Sequence, residues 1–190
     1  MSTEGATIRL ATQTDVDGLL ALESRYYVGN LDPSRRAEGF ISVLHSREWL
    51  EQTIADGGLH VAIIDDAVAG FIAMTAPPRQ APGLPAVVSA MVSLAETVEF
   101  NGALIAEQRY AIRGPVCIAE DARGQGIYSA FNAVTAKEYR DRFDLAVLFV
   151  SADNPRSLHT TTTKLGATLL GEFEADGHDY HFLAFPFRRD

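Results

Sequence analysis

Apolar positions along this chain switch between a period of two and a period near 3.6, and the switches mark its elements. Ile8-Arg9-Leu10-Ala11 alternates like a short strand. It leads into Thr14-Asp15-Val16-Asp17, where a hydroxyl cap and two acids suit the positive end of a helix. Leu19, Leu20 and Leu22 give that helix an apolar stripe as far as about Ser24. A second helix is predicted from Ser46, with Trp49, Leu50 and Ile54 on one face and Gly57-Gly58 as its stop. Between the two helices, 26–45 mixes polar residues with Pro33 and reads as irregular.

Farther on, two apolar runs at 59–65 and 68–75 flank the tight turn Asp65-Asp66, which predicts a hairpin. A loop holding Pro77, Pro78, Pro82 and Pro85 follows, then a helix over 87–98 with Val88, Met91, Leu94 and Val98 near helical spacing. Strand 110–119, a glycine-bearing turn at 120–126 and helix 127–140 come next. The unbroken apolar run at 145–150 is a buried strand. Asn154-Pro155 opens another helix, as cap and first residue, and Leu165-Gly166 closes it. A hairpin over 167–187, turning at Ala175-Asp176-Gly177, ends the chain. The order β-α-α-β-β-(α)-β-α-β-α-β-β predicts one α/β (α+β) domain over 1–190, with an inserted excursion at about 77–107.

Composition narrows the setting. With 190 residues, 47% of them hydrophobic and 22% charged, the chain can build a full core without staples. No apolar run approaches the roughly 18 residues of a membrane span, so no membrane partner is expected. Met1-Ser2-Thr3-Glu4-Gly5 has neither a basic nor an apolar stretch, so no secretory signal is expected and a cytoplasmic location is. The single Cys117 excludes an internal disulfide and a multi-cysteine metal site. His178 and His181 have no third ligand at metal spacing, and no metal is expected. A net charge of −9, from 16 basic against 25 acidic residues, repels a phosphate backbone and argues against nucleic acid.

The most informative stretch is Val116-Cys117-Ile118-Ala119-Glu120-Asp121-Ala122-Arg123-Gly124-Gln125-Gly126-Ile127-Tyr128. Strand, glycine turn and helix start follow one another directly. Glycines let amides approach a ligand closely, and the helix adds its positive end, so the stretch suits an anion such as a pyrophosphate. The same glycines also suit a plain strand-to-helix turn. No G-x-x-x-x-G-K-[ST] occurs, which excludes a Walker loop. Gly124-x-Gly126-x-x-Ser129 with Asp153 approaches a dinucleotide fingerprint, but the third glycine is missing and four residues separate the strand from the first.

Arg123-Gly124-Gln125-Gly126-Ile127 resembles motif A of the GNAT superfamily of N-acetyltransferases, Arg/Gln-x-x-Gly-x-Gly/Ala after a central strand. Asn154-Pro155-Arg156-Ser157 and Lys164-Leu165-Gly166-Ala167 resemble that superfamily's later helix, and the element order is similar over essentially the whole chain. The resemblance implies a mixed central sheet of about six to seven strands flanked by helices, with two splayed parallel strands at its centre. It implies acetyl-CoA as cosubstrate, its pantetheine arm along the backbone of Val116, Cys117 and Ile118. The pyrophosphate would then rest on the amides of Arg123, Gly124, Gln125, Gly126, Ile127, Tyr128 and Ser129, and Asn154 would bond the pantetheine. Tyr128 departs from the pattern, which has Gly or Ala there. Thr161 stands where many members carry a tyrosine acid, and the spacing from Asn154 to Gly166 is one residue longer than usual.

Acyl transfer to an amine needs a base and a proton for the leaving thiol. Ile112, Arg113 and Gly114, on the central strand, cannot serve as the base. Glu120 and Tyr110, with Glu107 nearby, are the ionisable candidates, and His159 is the candidate on the helix that usually carries the acid. Cys117, on a strand, reads as inert core. The resemblance thus implies an acyl-CoA-dependent N-acyltransferase that acetylates a small-molecule or peptide amine. The alternative is a degenerate domain that binds acyl-CoA as a sensor or interaction module. The acceptor-facing segments are 26–45 and 77–107, and the oligomeric state stands open between monomer and homodimer.

Overall fold

The computed structural model describes residues 2–3, 5–78 and 84–187, which fall into two compact units. The first is built from 1–36, 40–75 and 113–135, the second from 37–39, 76–112 and 136–190. Part of the proline loop at 77–85 lies outside the described residues.

In the first unit, β1 (Ser2–Thr3), β2 (Ala6–Leu10), β3 (Leu59–Ile64) and β4 (Ala67–Thr75) pair antiparallel in sequence order. The β3–β4 turn places Asp65 and Asp66 at φ 48° and 61°, so the acidic pair forms the left-handed hairpin turn expected of it. The other edge of β4 faces the later part of β7 (Tyr110–Ile118), where Ala119 N–H donates to Ala69 O at 2.8 Å. Helices α1 (Val16–Tyr26) and α2 (Arg47–Ala55) cover this sheet. Ser46 caps α2, its Oγ accepting the Trp49 amide at 3.2 Å. The expected cap of the first helix is corrected by the structure. A 3-10 turn at Gln13–Asp15 precedes α1, and Thr12 rather than Thr14 stands at its start, because the Asp15 carboxylate reaches back to the Thr12 amide. Gly18 sits inside α1 because a Cβ there would lie 2.8 Å from Val68 Cγ2, so helix and sheet approach closely. Leu19, Leu22, Leu50, Val61, Phe71, Ile72, Cys117, Ile127 and Phe131 form this unit's core.

In the second unit the first residues of β7 pair in parallel with β8 (Leu145–Ser151). Registered pairs stop at Ile112 and Val147, although β7 continues to Ile118 and β8 to Ser151. β8 pairs antiparallel with β10 (His178–Pro186), and β10 with β9 (Thr168–Ala175), with a bulge at Phe182/Leu183. Helix α3 (Ala86–Ala95) packs on β9 through Met91 and Ala95. A small hairpin, β5 (Glu99–Phe100) and β6 (Ala103–Leu104), turns at Asn101-Gly102 with φ 57° and 86°. Asn-Gly is a strong hairpin signal, and the sequence reading passed over it.

Helix α4 is Ile127–Tyr139. Helix α5 (Pro155–Thr160) runs on into one wide π-turn, Thr161–Leu165, closed by Gly166 at φ 74°. A π-turn holds one residue more than a regular helical turn. A widened turn strands carbonyls of the preceding turn, and threonine hydroxyls collect them: Thr162 Oγ1 donates to Leu158 O at 2.9 Å and Thr163 Oγ1 to His159 O at 2.6 Å.

Candidate functional site

The glycine turn is held from below. After β7, the 3-10 turn Glu120–Ala122 begins where the Glu120 amide donates to Tyr26 Oη at 2.7 Å. Arg123 folds back, its Nε donating to Ile118 O at 3.1 Å and its guanidinium lying 5.4 Å from the Tyr26 ring centroid. Gln125 Nε2 donates to Asp121 O at 3.2 Å. With both ends anchored, Gly124 and Gly126 take φ 82° and 80°, which residues bearing a Cβ rarely adopt.

The chain then enters α4 from Gly126, which has no side chain to cap with. Ala130 N–H, bonded to Gly126 O at 3.0 Å, is the first amide to find a carbonyl within the helix. The amides of Ile127, Tyr128 and Ser129 precede it and have no intrahelical partner. Gly124, Gln125, Gly126 and Ser129 are exposed, while Ile127 is buried and Tyr128 half-buried, so the turn and one side of the helix start meet solvent. Chemically, this is a cradle for an anion.

The other residues singled out from sequence fall in different surroundings. Val116 and Ile118 are half-buried on β7. Cys117 between them is buried, and burial, with the Glu23 carboxylate adding, pushes its thiol up to about 12 against the pull of Arg123 and Arg25. It stays protonated at neutral pH and is a poor nucleophile. Glu120 is half exposed and pairs with Arg35 at 2.8 Å. In the second unit, Tyr110 is buried with Leu145, Ile112 and Phe182, and burial, with Glu96, raises its phenol pKa. His159 is exposed on α5. Asn154 is buried, and its Oδ1 accepts the Ser157 amide at 3.1 Å as the α5 cap.

Two groupings escaped the sequence reading. Glu23 is fully buried on α1, and its two oxygens accept His45 Nδ1 at 2.8 Å and the His45 amide at 3.1 Å. His45 in turn lies against Trp49, with ring centroids 3.9 Å apart and the planes tilted by 33°. The signal was present: Leu19, Leu22, Glu23 and Tyr26 share one helical face, which puts a carboxylate on a buried stripe. The second grouping is Arg113, buried on β7, with Tyr128 and Asn132 of α4. Among the described residues, no three His, Cys, Asp or Glu side chains gather as a metal site, and no helix is long and apolar enough to cross a membrane.

Neither a family model nor a curated protein matches the sequence. Solved structures match over nearly its whole length. A GNAT family acetyltransferase from Streptococcus agalactiae 2603 is 17% identical, with 99% of each chain covered and a TM-score of 0.66. A ribosomal-protein-alanine N-acetyltransferase from Brucella melitensis is 20% identical over 95% of this chain and 99% of its own, with a TM-score of 0.63. For yncA of Salmonella typhimurium, solved with its cofactor acetyl-CoA, the identity is 13%, the coverage 97% and 95%, and the TM-score 0.61. This chain therefore has the fold of the GNAT acetyltransferases, a mixed sheet flanked by helices.

Proposed function

We propose that this chain, working as one domain over 1–190, is an acyl-CoA-dependent N-acyltransferase. The observation that carries the reading is the glycine turn after β7, where Gly124 and Gly126 at positive φ lead exposed backbone into the start of α4. That is the donor set a pyrophosphate needs, in the fold whose yncA member holds acetyl-CoA. On this reading the backbone of Val116, Cys117 and Ile118 bonds the pantetheine as an added strand would, and Asn154 contributes a further hydrogen bond.

The amine nitrogen attacks the thioester carbonyl carbon, the C–S bond breaks, and the amide, free CoA thiol and no further product result. The nitrogen loses one proton and the sulfur gains one. Glu120 is the candidate to take the first proton, and Tyr110, whose phenol burial keeps protonated, or His159 to supply the second. The acceptor is a primary amine of a small molecule or a peptide. Matched structures named as a ribosomal-protein-alanine N-acetyltransferase and as NatC bound to Gag peptide and CoA support a peptide N-terminus. A second reading, acyl-CoA binding without turnover, is favoured by Arg113 in place of a base on β7 and by the absence of tyrosine at Thr161.

Coenzyme A is expected to raise Tm while adenosine alone does not, since the amides grip the pyrophosphate rather than the base. At about 100 times its Kd, CoA adds roughly 2.7 kcal/mol. No shift at millimolar CoA sinks the acyl-CoA reading. Release of free thiol from acetyl-CoA with an amine panel then separates an enzyme from a binding domain.

A further inference from the structure

Two departures from the GNAT pattern that look unrelated in sequence occupy one place in the structure. β7 carries Arg113 near where a base is usual, and α4 carries Tyr128 where a small residue is usual. The Arg113 guanidinium carbon lies 5.4 Å from the Tyr128 ring centroid, and Nη2 donates to Asn132 Oδ1 at 2.8 Å. Arg113 is only 5% exposed. Its Nε is buried and meets no acceptor, and the Tyr128 hydroxyl is buried and meets no partner.

Arg9, Arg35, Arg47, Arg109 and Arg156 each pair with a carboxylate. Arg113, buried deeper than any of them, has no ion pair among the described residues. Burial lowers its pKa and Tyr128 opposes the fall, yet a guanidinium keeps its charge over the whole working range of pH. A buried cation facing one ring and one amide is compensated only in part. Tyr128 answers part of that charge, and the buried Nε still lacks an acceptor, which a carboxylate would supply.

We propose that Arg113 and Tyr128 recognise a carboxylate on one of the reactants, either the acyl chain of the donor or the acceptor amine. Nε and the neighbouring Nη form the planar fork that a carboxylate matches with two parallel bonds, and the Tyr128 hydroxyl donates a third. The inference rests on the acyl-CoA reading, which also fixes the end of the ligand concerned. Pantetheine would run from the glycine turn back along Ile118 to Val116, and Arg113 lies roughly 10 Å farther along the strand in the same direction. Its backbone thus lies toward the thiol end, where acyl group and acceptor meet, and its guanidinium reaches back to Tyr128 on the first turn of α4. Tyr128 is partly buried on the first turn of α4, beside the exposed Ser129.

The test compares matched ligands on the full chain. In the donor arm, Kd is measured for CoA, acetyl-CoA and succinyl-CoA. In the acceptor arm, kcat/KM is measured for amino acids and their carboxamides. A preference of at least tenfold for the carboxylate partner is expected in one arm, and the arm identifies its source. Arg113→Gln should reduce that ratio to near one, and Tyr128→Phe should reduce it several-fold. If Arg113→Gln fails to fold, Arg113→Lys, with the charge but not the fork, reads the same ratio and should lower it. Overturning results are no preference in either arm, a preference that survives loss of the guanidinium, or an equal loss of affinity for CoA itself. Wild-type protein that binds no CoA takes down the acyl-CoA reading as well, whereas CoA binding without a carboxylate preference sinks this inference alone.

Discussion

Helices α4 and α5 each follow a strand of the parallel pair β7 and β8, and they begin in opposite ways. Asn154 caps α5 with its own side chain, and Pro155 at the first position has no N–H to satisfy. The start of α5 thus answers one amide with its own cap and omits another. The start of α4 offers two glycines at positive φ, and Gly126, the residue before its first turn, has no side chain with which to cap it. Glycine at the cap position costs a helix only roughly a few tenths of a kcal/mol against a side-chain cap. Two starts in comparable positions, one with its own side-chain cap and one with glycine there, show where this chain leaves backbone capacity that the proposed ligand would use.

The sharpest way to break this contrast is Gly126→Val. A side chain there strikes the anion or forces the turn out of shape, and CoA affinity should fall by roughly 2–4 kcal/mol, one or two charge-assisted bonds. Titration calorimetry checks it, and unchanged affinity would make α4 merely another helix start. Asp153→Ala is the matched control, with CoA binding retained, because only a dinucleotide fingerprint gives that carboxylate a ligand.

Near α1 a third solution appears, closure by charge. Asp15 accepts Arg9 Nη1 and Nη2 at 2.7 and 2.9 Å and the Thr12 amide at 2.7 Å. The Arg9 hydrogen bond first, with the Thr12 bonds helping, lowers its pKa from 3.8 to about 2 against the cost of burial. A folded pKa below the unfolded one stabilises the protein above the unfolded value and stops doing so as pH falls through the folded value. The effect is about 2 kcal/mol. Urea unfolding of wild type and Asp15→Asn should therefore differ by about that much at pH 6 and converge toward pH 2. A gap independent of pH would remove charge from the explanation.

The smallest effect belongs to α5 itself. Asn154→Ala should cost about 1 kcal/mol of stability, whereas Asn154→Asp, which still caps, should cost little. If Asn154 also serves the pantetheine, Asn154→Asp weakens CoA binding at near-constant Tm. Equal Tm for wild type and Asn154→Ala would mean that α5 is not closed by its own side chain.

What was legible in the sequence was whatever depends on neighbours along the chain. The Asp65-Asp66 turn, the Ser46 cap and the Asn154-Pro155 start are local, and each stands where the residues place it. The glycine turn was legible for the same reason, as Gly124 and Gly126 require their backbone angles whatever surrounds them. Thr12 displaced Thr14 because the deciding partner, Arg9, lies on the preceding strand. Arg113 and Tyr128 were noticed separately, but their meeting is a strand-to-helix contact that no periodicity encodes. Glu23 was hidden by the habit of reading a charge as solvated, although its helical register put it inside.

The wide turn of α5 can be viewed as a lattice defect. It is an interstitial: one residue more than the regular helix holds, lodged at Thr161–Leu165. Thr160, Thr161, Thr162 and Thr163 are identical, so displacing the defect by one step within them exchanges threonine for threonine. Side-chain chemistry inside the run gives it no landmark, and the pinning falls to the ends, the Asn154 cap and the left-handed Gly166. Removing any one of the four threonines yields one and the same chain, and in that chain the helix would close with no interstitial left to place.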